Sequence, residues 1–74
     1  MTKIYEIRDI GLTIRKKRAE MGITQSQLAD MCGNGTRFIS ELENGKPTMQ
    51  IGKVLDTLHM LGLDVIISDR GNQL

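Results

Sequence analysis

Apolar residues recur at helical spacing over the first part of the chain, with basic residues between them in the run RKKR at 15–18. An amphipathic helix needs one apolar stripe and one polar face, and this pattern supplies both. It predicts a helix that begins at Ile7 and ends near Gly22. The apolar residues of this helix are Ile7, Ile10, Ile14 and Met21.

Two shorter helices are predicted next, separated by the glycine-rich turn GNG at 33–35. Thr24 stands three residues before Gln27, which matches a capping box that satisfies free amides at the start of a helix. The two glycines let the chain reverse tightly. Ile39 and Leu42 then mark the buried side of a third helix, which ends before the NGKP loop.

The remaining apolar residues predict a fourth helix and a strand. Thr48 is expected to cap the helix, whose stripe consists of Ile51, Val54, Leu55, Leu58 and Leu61. The segment LDVIIS at 63–68 changes to period two and is rich in β-branched residues, as strands are. Because an apolar strand edge needs cover, we expect a second copy of the chain to pair with it. The expected dimer-strand residues are Leu63, Val65, Ile66 and Ile67.

Composition limits the fold and the possible chemistry. The chain has 74 residues, which predicts a single domain spanning 1–74, with a helical core at 7–62 and a flexible tail at 69–74. Tyr5 and Phe38 are the only aromatic residues, so an aliphatic core of packed helices is favoured. The single cysteine, Cys32, excludes an internal disulfide and a multi-cysteine zinc site, and we expect it in the core rather than as a redox sensor.

Charge and hydropathy give weaker guidance. The net charge is only +1, although five of the ten basic residues lie between Arg8 and Arg18. No apolar run approaches the roughly 18 residues of a membrane span, and no signal peptide is apparent. We therefore expect a cytoplasmic protein.

Two short helices joined by a glycine turn, followed by a loop and a supporting helix, form the pattern of a helix-turn-helix module. Its third helix enters the major groove of DNA, where short outward side chains allow close approach and Arg37 can donate two parallel hydrogen bonds to guanine. Gln25 and Ser26 open the second helix, where free amides and the helix dipole favour a phosphate. Asn44 and Lys46 follow the third helix and can hold the next phosphate. The outward residues of the third helix are Gly35, Thr36, Arg37, Ser40 and Glu41.

The run GITQSQLADMCGNGTRFISELENGKPT at 22–48 resembles the core of phage-repressor-like (Xre or Cro/C1-type) regulators. In that family a glutamine opens the second helix and SxLExGK closes the third, and the match covers about residues 7–62. The flanking KIY and LGLDVIISD resemble HipB-type antitoxins, whose terminal strand pairs across a dimer axis. The resemblance implies an all-α fold of four to five helices with a short C-terminal β-strand that pairs across a homodimer.

The resemblance also implies roles for individual residues. Phosphate contacts are implied at Gln25, Asn44 and Lys46, and an ion pair between Arg18 and Glu43. Asn34 departs from the family, which has an apolar residue there, and we expect it to adopt a left-handed conformation. Base contacts are implied at Ser26, Thr36 and Arg37, and further at Gly35 and Glu41.

Each of these residues also has a structural interpretation without a ligand. Lys16 and Lys17 fit a solvated helix face. Thr36 and Arg37 fit a merely polar surface, and Ser40 can bond back to its own helix. His59 has no partner at metal-ligand spacing, so an exposed or half-buried position is expected.

The leading functional hypothesis is a homodimeric repressor that binds an inverted-repeat operator in double-stranded DNA and regulates its own operon. Its HipB resemblance implies that it is the antitoxin that neutralises a HipA-like serine/threonine kinase toxin. The alternatives are a solitary phage or restriction-control regulator and a protein-interaction adaptor that does not read bases. An enzyme is disfavoured, since one His and one Cys cannot assemble a catalytic centre, and no metal or other cofactor is expected.

Overall fold

The computed structural model describes residues 1–69, in which four α-helices form the regular structure. They are α1 (Ile7–Met21), α2 (Gln25–Cys32), α3 (Thr36–Glu43) and α4 (Ile51–Met60). The predicted all-α fold of four to five helices is confirmed, with four helices in these residues. Residues 70–74, which make up most of the predicted tail at 69–74, lie outside the described residues. None of the helices within 1–69 is both long and apolar enough to span a bilayer.

The core forms where the four helices meet. α3 packs against α1 and α2, and α2 also packs against α4. Half-buried residues, among them Ile7, Ile10 and Cys32, surround the fully buried ones. Cys32 therefore lies at the edge of the aliphatic core. The buried apolar residues are Ile14, Leu28, Ala29, Ile39, Leu42, Val54, Leu58 and Leu61.

α1 ends where the sequence predicts. Gly22 follows its last residue with φ of 68°, in the left-handed region that terminates helices. The predicted stripe was wrong at one position, because Met21 is exposed. Met21 is the last residue of α1, and a side chain at a helix end packs only if another element reaches it.

Gly11 sets the distance between α1 and α3. A Cβ atom at this position would overlap the backbone carbonyl oxygen of Leu42 and lie 2.9 Å from that of Glu43. Both oxygens belong to the backbone of α3, so no side-chain rotation would relieve the overlap. α3 can therefore lie this close to α1 only because Gly11 has no side chain.

Two predictions for α4 were wrong. Its N-cap is Gln50 rather than Thr48, since the loop after α3 continues two residues further than the sequence pattern suggested. Ile51 is exposed instead of buried. As the first residue of α4, it borders an apolar groove of about 410 Å³, which residues near the N-terminus and residues 63–66 also line.

The segment after α4 forms no strand within the described residues. A strand needs a hydrogen-bonded neighbour, and the neighbour predicted here was a second copy of the chain. Leu63 packs against the core, whereas Val65, Ile66 and Ile67 are exposed, Ile67 at 94%. The strand at 63–68 and its pairing across a dimer stay predictions.

Candidate nucleic-acid interface

The start of α2 is fixed by a reciprocal cap. The Thr24 hydroxyl accepts a hydrogen bond from the Gln27 amide at 3.0 Å, and the Gln27 side chain accepts one from the Thr24 amide at 2.8 Å. The predicted capping box is confirmed. Within residues 1–69 it leaves the amides of Gln25 and Ser26 without an acceptor, so they form the positive end of the helix dipole.

The turn between α2 and α3 depends on Gly33. Its φ is 69°, and the next amide, that of Asn34, donates to the Ala29 carbonyl at 2.9 Å. This bond closes α2 and directs the chain into α3. The expectation of a left-handed Asn34 was wrong, because every residue with positive φ in the described chain is a glycine. Gly33 already makes the reversal without a steric cost.

α3 has two different faces. Ile39 and Leu42 point inward and are completely buried, as predicted. Thr36 and Arg37 lie in the first turn and are exposed, and the Arg37 side chain is 89% exposed. The inner face seats α3 on the core, and the outer face remains available to a ligand.

A buried ionic cluster joins α3 to α1, and Glu43 is its centre. The Glu43 side chain is only 1% exposed. Arg18 donates to it through Nε at 2.7 Å and through Nη2 at 3.0 Å, and Arg18 Nη1 donates to the Ile23 carbonyl at 3.0 Å. Two parallel bonds of this kind fix both distance and angle. The structure thus brings Arg18 and Glu43 together as the resemblance implied.

Gln25 and Arg15 complete this cluster. Gln25 Nε2 donates to Glu43 Oε1 at 3.1 Å, and Arg15 Nε lies 3.8 Å from the same oxygen. Because both reach one oxygen, the start of α2 and the exposed Arg15 cation lie side by side. Burial raises the pKa of Glu43, but the hydrogen bonds from Arg18 and Gln25 outweigh it and hold that pKa below its usual value. The carboxylate therefore stays charged.

A second cluster lies on the outer face of α3. Glu41 Oε2 accepts a hydrogen bond from Lys46 Nζ at 3.0 Å and lies 3.7 Å from Arg37 Nε. The Lys46 hydrogen bond is the main cause of the lowered Glu41 pKa. Three predicted DNA-contacting residues are thus joined to one another in the free protein. We call Arg37, Glu41 and Lys46 the outer cluster.

The other predicted contact residues border the same helices. Ser26, Gly35, Thr36 and Asn44 are exposed, and Ser40 is half-buried. The Ser40 hydroxyl makes no hydrogen bond to its own helix in the described chain, unlike the hydroxyls of two threonines on α1 and α4. Ser40 is therefore free to contact a ligand.

Sequence reasoning missed two contributors. Arg15 stands one helical turn before Arg18, so the i, i+3 spacing was the signal that both face α3. Lys53 Nζ on α4 lies 5.8 Å from the centre of the Phe38 ring, a cation–π contact that supports the outer side of α3. No local pattern indicated this contact, because it joins two helices.

Cys32 and His59 take no part in the ion pairs found within residues 1–69. Cys32 is half-buried and reduced, and His59 is exposed. Within residues 1–69 no group of three or more His, Cys, Asp or Glu residues is arranged to hold a metal ion. The polar features concentrate instead around α2 and α3.

Comparison with known proteins identifies relatives. Residues 14–56 match the family model described as helix-turn-helix. The chain is 48% identical over 65 residues to the uncharacterized HTH-type transcriptional regulator y4mF of Sinorhizobium fredii, which covers 88% of this chain and 86% of that protein.

Solved structures give a similar result. The fold matches a chain of a HipA–HipB–O2–O3 complex and a chain of a HipB–O4 20mer complex, each with a TM-score of 0.84 and 28% identity. Each match covers 93% of this chain and 97% of the other. The four-helix arrangement is thus shared over nearly the whole length of these chains.

Proposed function

Because the chain belongs to the helix-turn-helix family of DNA-binding transcriptional regulators, we propose that it represses its own operon as the antitoxin of a HipA-type toxin. The outer face of α3 carries this proposal. That face presents an almost fully exposed arginine above a fully buried apolar face. Such a helix can enter the major groove without disturbing the core.

Base recognition is assigned to the amino end of α3. Arg37 would leave Glu41 and donate two parallel hydrogen bonds to guanine, a contact that discriminates between bases by about 1–3 kcal/mol. Gly35 has no side chain and lets the helix approach the base edges closely. The proposed base contacts are Ser26, Gly35, Thr36, Arg37, Ser40 and Glu41.

Phosphate binding is assigned to both ends of the recognition unit. The free amides at the start of α2 attract an anion, and Gln25 and Arg15 stand beside them. Asn44 and Lys46 would hold a second phosphate after α3. These contacts position the protein on DNA without selecting a sequence.

The proposed active form is a homodimer. Two copies would place their α3 helices about 34 Å apart, one turn of B-DNA, on an inverted repeat. The exposed apolar side chains of Val65, Ile66 and Ile67 support pairing of the 63–68 segments between copies, since pairing would cover them and satisfy their backbone.

The proposed protein partner is a HipA-like serine/threonine kinase. Support comes from the likeness to the HipB chain of a HipA–HipB–O2–O3 complex. A kinase-like reading frame next to this gene, whose product copurifies with the chain, is the expected result. Absence of such a neighbour would favour a solitary regulator.

DNA recognition is tested with an operator selected from random duplexes. Arg37→Ala should lose about 5- to 150-fold in preference for the operator over scrambled DNA, because only the operator offers the guanine contact. Lys16→Ala, an exposed cation on α1, is the matched control and should retain the preference. An unchanged ratio in Arg37→Ala would remove this residue from base reading, and equal wild-type binding to both duplexes would favour an adaptor.

Dimer formation is tested separately. Ile66→Asp or Val65→Asp should shift the protein toward monomer in sedimentation experiments, because a charge would enter the paired strand. Met31→Asp changes an equally apolar, exposed residue on α2 and should leave the dimer intact. A full dimer in all three variants would refute the strand pairing.

A further inference from the structure

The two charges that α3 itself carries in the outer cluster are placed against its helix dipole. Arg37 lies in the first turn, at the positive end of the helix dipole, and Glu41 lies in the last turn, at the negative end. The order of the pair, cation before anion at i, i+4, is also the less favourable one. Since helix energetics oppose this arrangement, its explanation lies in the surface that the three residues form.

Glu41 changes what a phosphate backbone meets on that surface. Its side chain is 30% exposed, compared with 89% for Arg37 and 46% for Lys46. The carboxylate therefore lies beneath two cations and neutralises one of their two charges. When a DNA phosphate binds Arg37 or Lys46, that cation no longer neutralises the Glu41 carboxylate. The negative carboxylate then repels the negative DNA backbone.

An operator can compensate for this repulsion between Glu41 and DNA. The amino groups of cytosine and adenine donate hydrogen bonds in the major groove, and a carboxylate accepts readily from cytosine. A base amino group opposite Glu41 would replace the departing cation. Arg37 and Lys46 are then released to guanine and phosphate.

We propose that Glu41 disfavours nonspecific DNA: its carboxylate retains Arg37 and Lys46 unless a base amino group of the operator replaces them as hydrogen-bond donor. The inference rests on the proposed DNA-reading function. Specificity then comes partly from weakening the wrong complexes. The lowered pKa of Glu41, caused mainly by Lys46, keeps the carboxylate charged for this role.

Glu41→Gln tests the inference, since it removes the charge and retains the size. Its affinity for scrambled DNA should rise on the order of 10- to 100-fold at low salt, and the salt slope should steepen by about 0.9 for each phosphate gained. Operator affinity should rise at least about tenfold less than scrambled affinity, because the variant also loses the charged acceptor for the base amino group of the operator. Selection from random duplexes should show that the variant has lost a preference for a base amino group at one position.

Glu20→Gln is the matched control, because it removes the same charge from an exposed site on α1. It should leave the ratio of operator to scrambled affinity unchanged, and circular dichroism should show that both variants are folded. Equal gains on both duplexes, no gain, or the same effect in Glu20→Gln would overturn the inference while the proposed function stands. If the wild-type chain selects no sequence at all, the proposed function fails, and the inference fails with it.

Discussion

Glu41 and Glu43 stand two residues apart on α3, yet their carboxylates occupy opposite environments. Glu43 faces inward, is 1% exposed, and receives hydrogen bonds from Arg18 on α1 and Gln25 on α2. Glu41 faces outward and is held by two cations that are themselves solvated. The same functional group is thus enclosed by protein in one case and partly exposed to solvent in the other.

The difference shows how one short helix can be both anchored and available. A buried carboxylate with fixed donors ties three helices together, and removing it leaves charges in a medium that solvates them poorly. An exposed carboxylate contributes little to folding because water and salt screen it. We therefore expect Glu43 to determine where α3 sits and Glu41 to determine what α3 binds.

The largest expected effect is on stability at the buried carboxylate. Glu43→Ala should lower the free energy of unfolding by about 3–5 kcal/mol, because Arg18 remains in the protein without its partner. Urea denaturation measures the loss. Glu41→Ala makes the same side-chain change on the same helix and should cost no more than about 1 kcal/mol. Similar losses for both variants would contradict the distinction between the two faces.

A smaller loss of stability is expected at the contact between Gly11 on α1 and the backbone of α3. Gly11→Ala should destabilise the fold by about 1–3 kcal/mol, because the added Cβ overlaps carbonyl oxygens of α3 that cannot rotate away. Thermal unfolding measures this change.

Gly52 on α4 supplies the control for Gly11. It is also helical, but no atom lies within 4 Å of the position that its Cβ would take. Gly52→Ala should therefore stabilise the protein by about 0.5–1 kcal/mol through helix propensity alone. A stabilising Gly11→Ala would show that α1 and α3 are not in close contact.

The sequence correctly predicted the features that depend only on residues close together in the chain. The capping box at Thr24, the end of α1 at Gly22 and the inward faces of Ile39 and Leu42 follow from spacing within a few residues. These are the features that propensity and periodicity encode. They define the helix-turn-helix unit and the side of α3 that faces out.

The sequence did not predict the burial or contacts of residues whose surroundings come from a distant part of the chain. Met21 and Ile51 fit apolar stripes, but both lie at helix ends and are exposed within the described part of the chain. Arg15 joins the Glu43 cluster only because α1 and α3 pack closely enough for its long side chain to reach. The described residues form no strand at 63–68, and pairing of this segment with a second chain stays a prediction.

The smallest effect is expected on the pH dependence of stability. The pKa of Glu43 is below its usual value although burial raises it, because Arg18 and Gln25 donate to the charged form. A carboxyl group with a lowered pKa in the folded state contributes stability that is complete above its unfolded pKa of about 4.3 and is lost as the pH falls through the folded pKa. Between pH 6 and pH 3 the free energy of unfolding should therefore fall more in the wild-type protein than in Glu43→Gln.

Salt separates the two carboxylates in this experiment. The pKa of Glu41 is also lowered, chiefly by Lys46, but that pair is exposed. At about 0.5 M salt, where the screening length falls below roughly 5 Å, the acid sensitivity that Glu41→Gln removes should shrink toward zero. The sensitivity that Glu43→Gln removes should persist, because the Glu43 side chain is only 1% exposed and that of Arg18 only 17%. If neither Gln variant differed from the wild-type protein in acid sensitivity at high salt, water would reach Glu43 and its ion pair would not hold α3 in place.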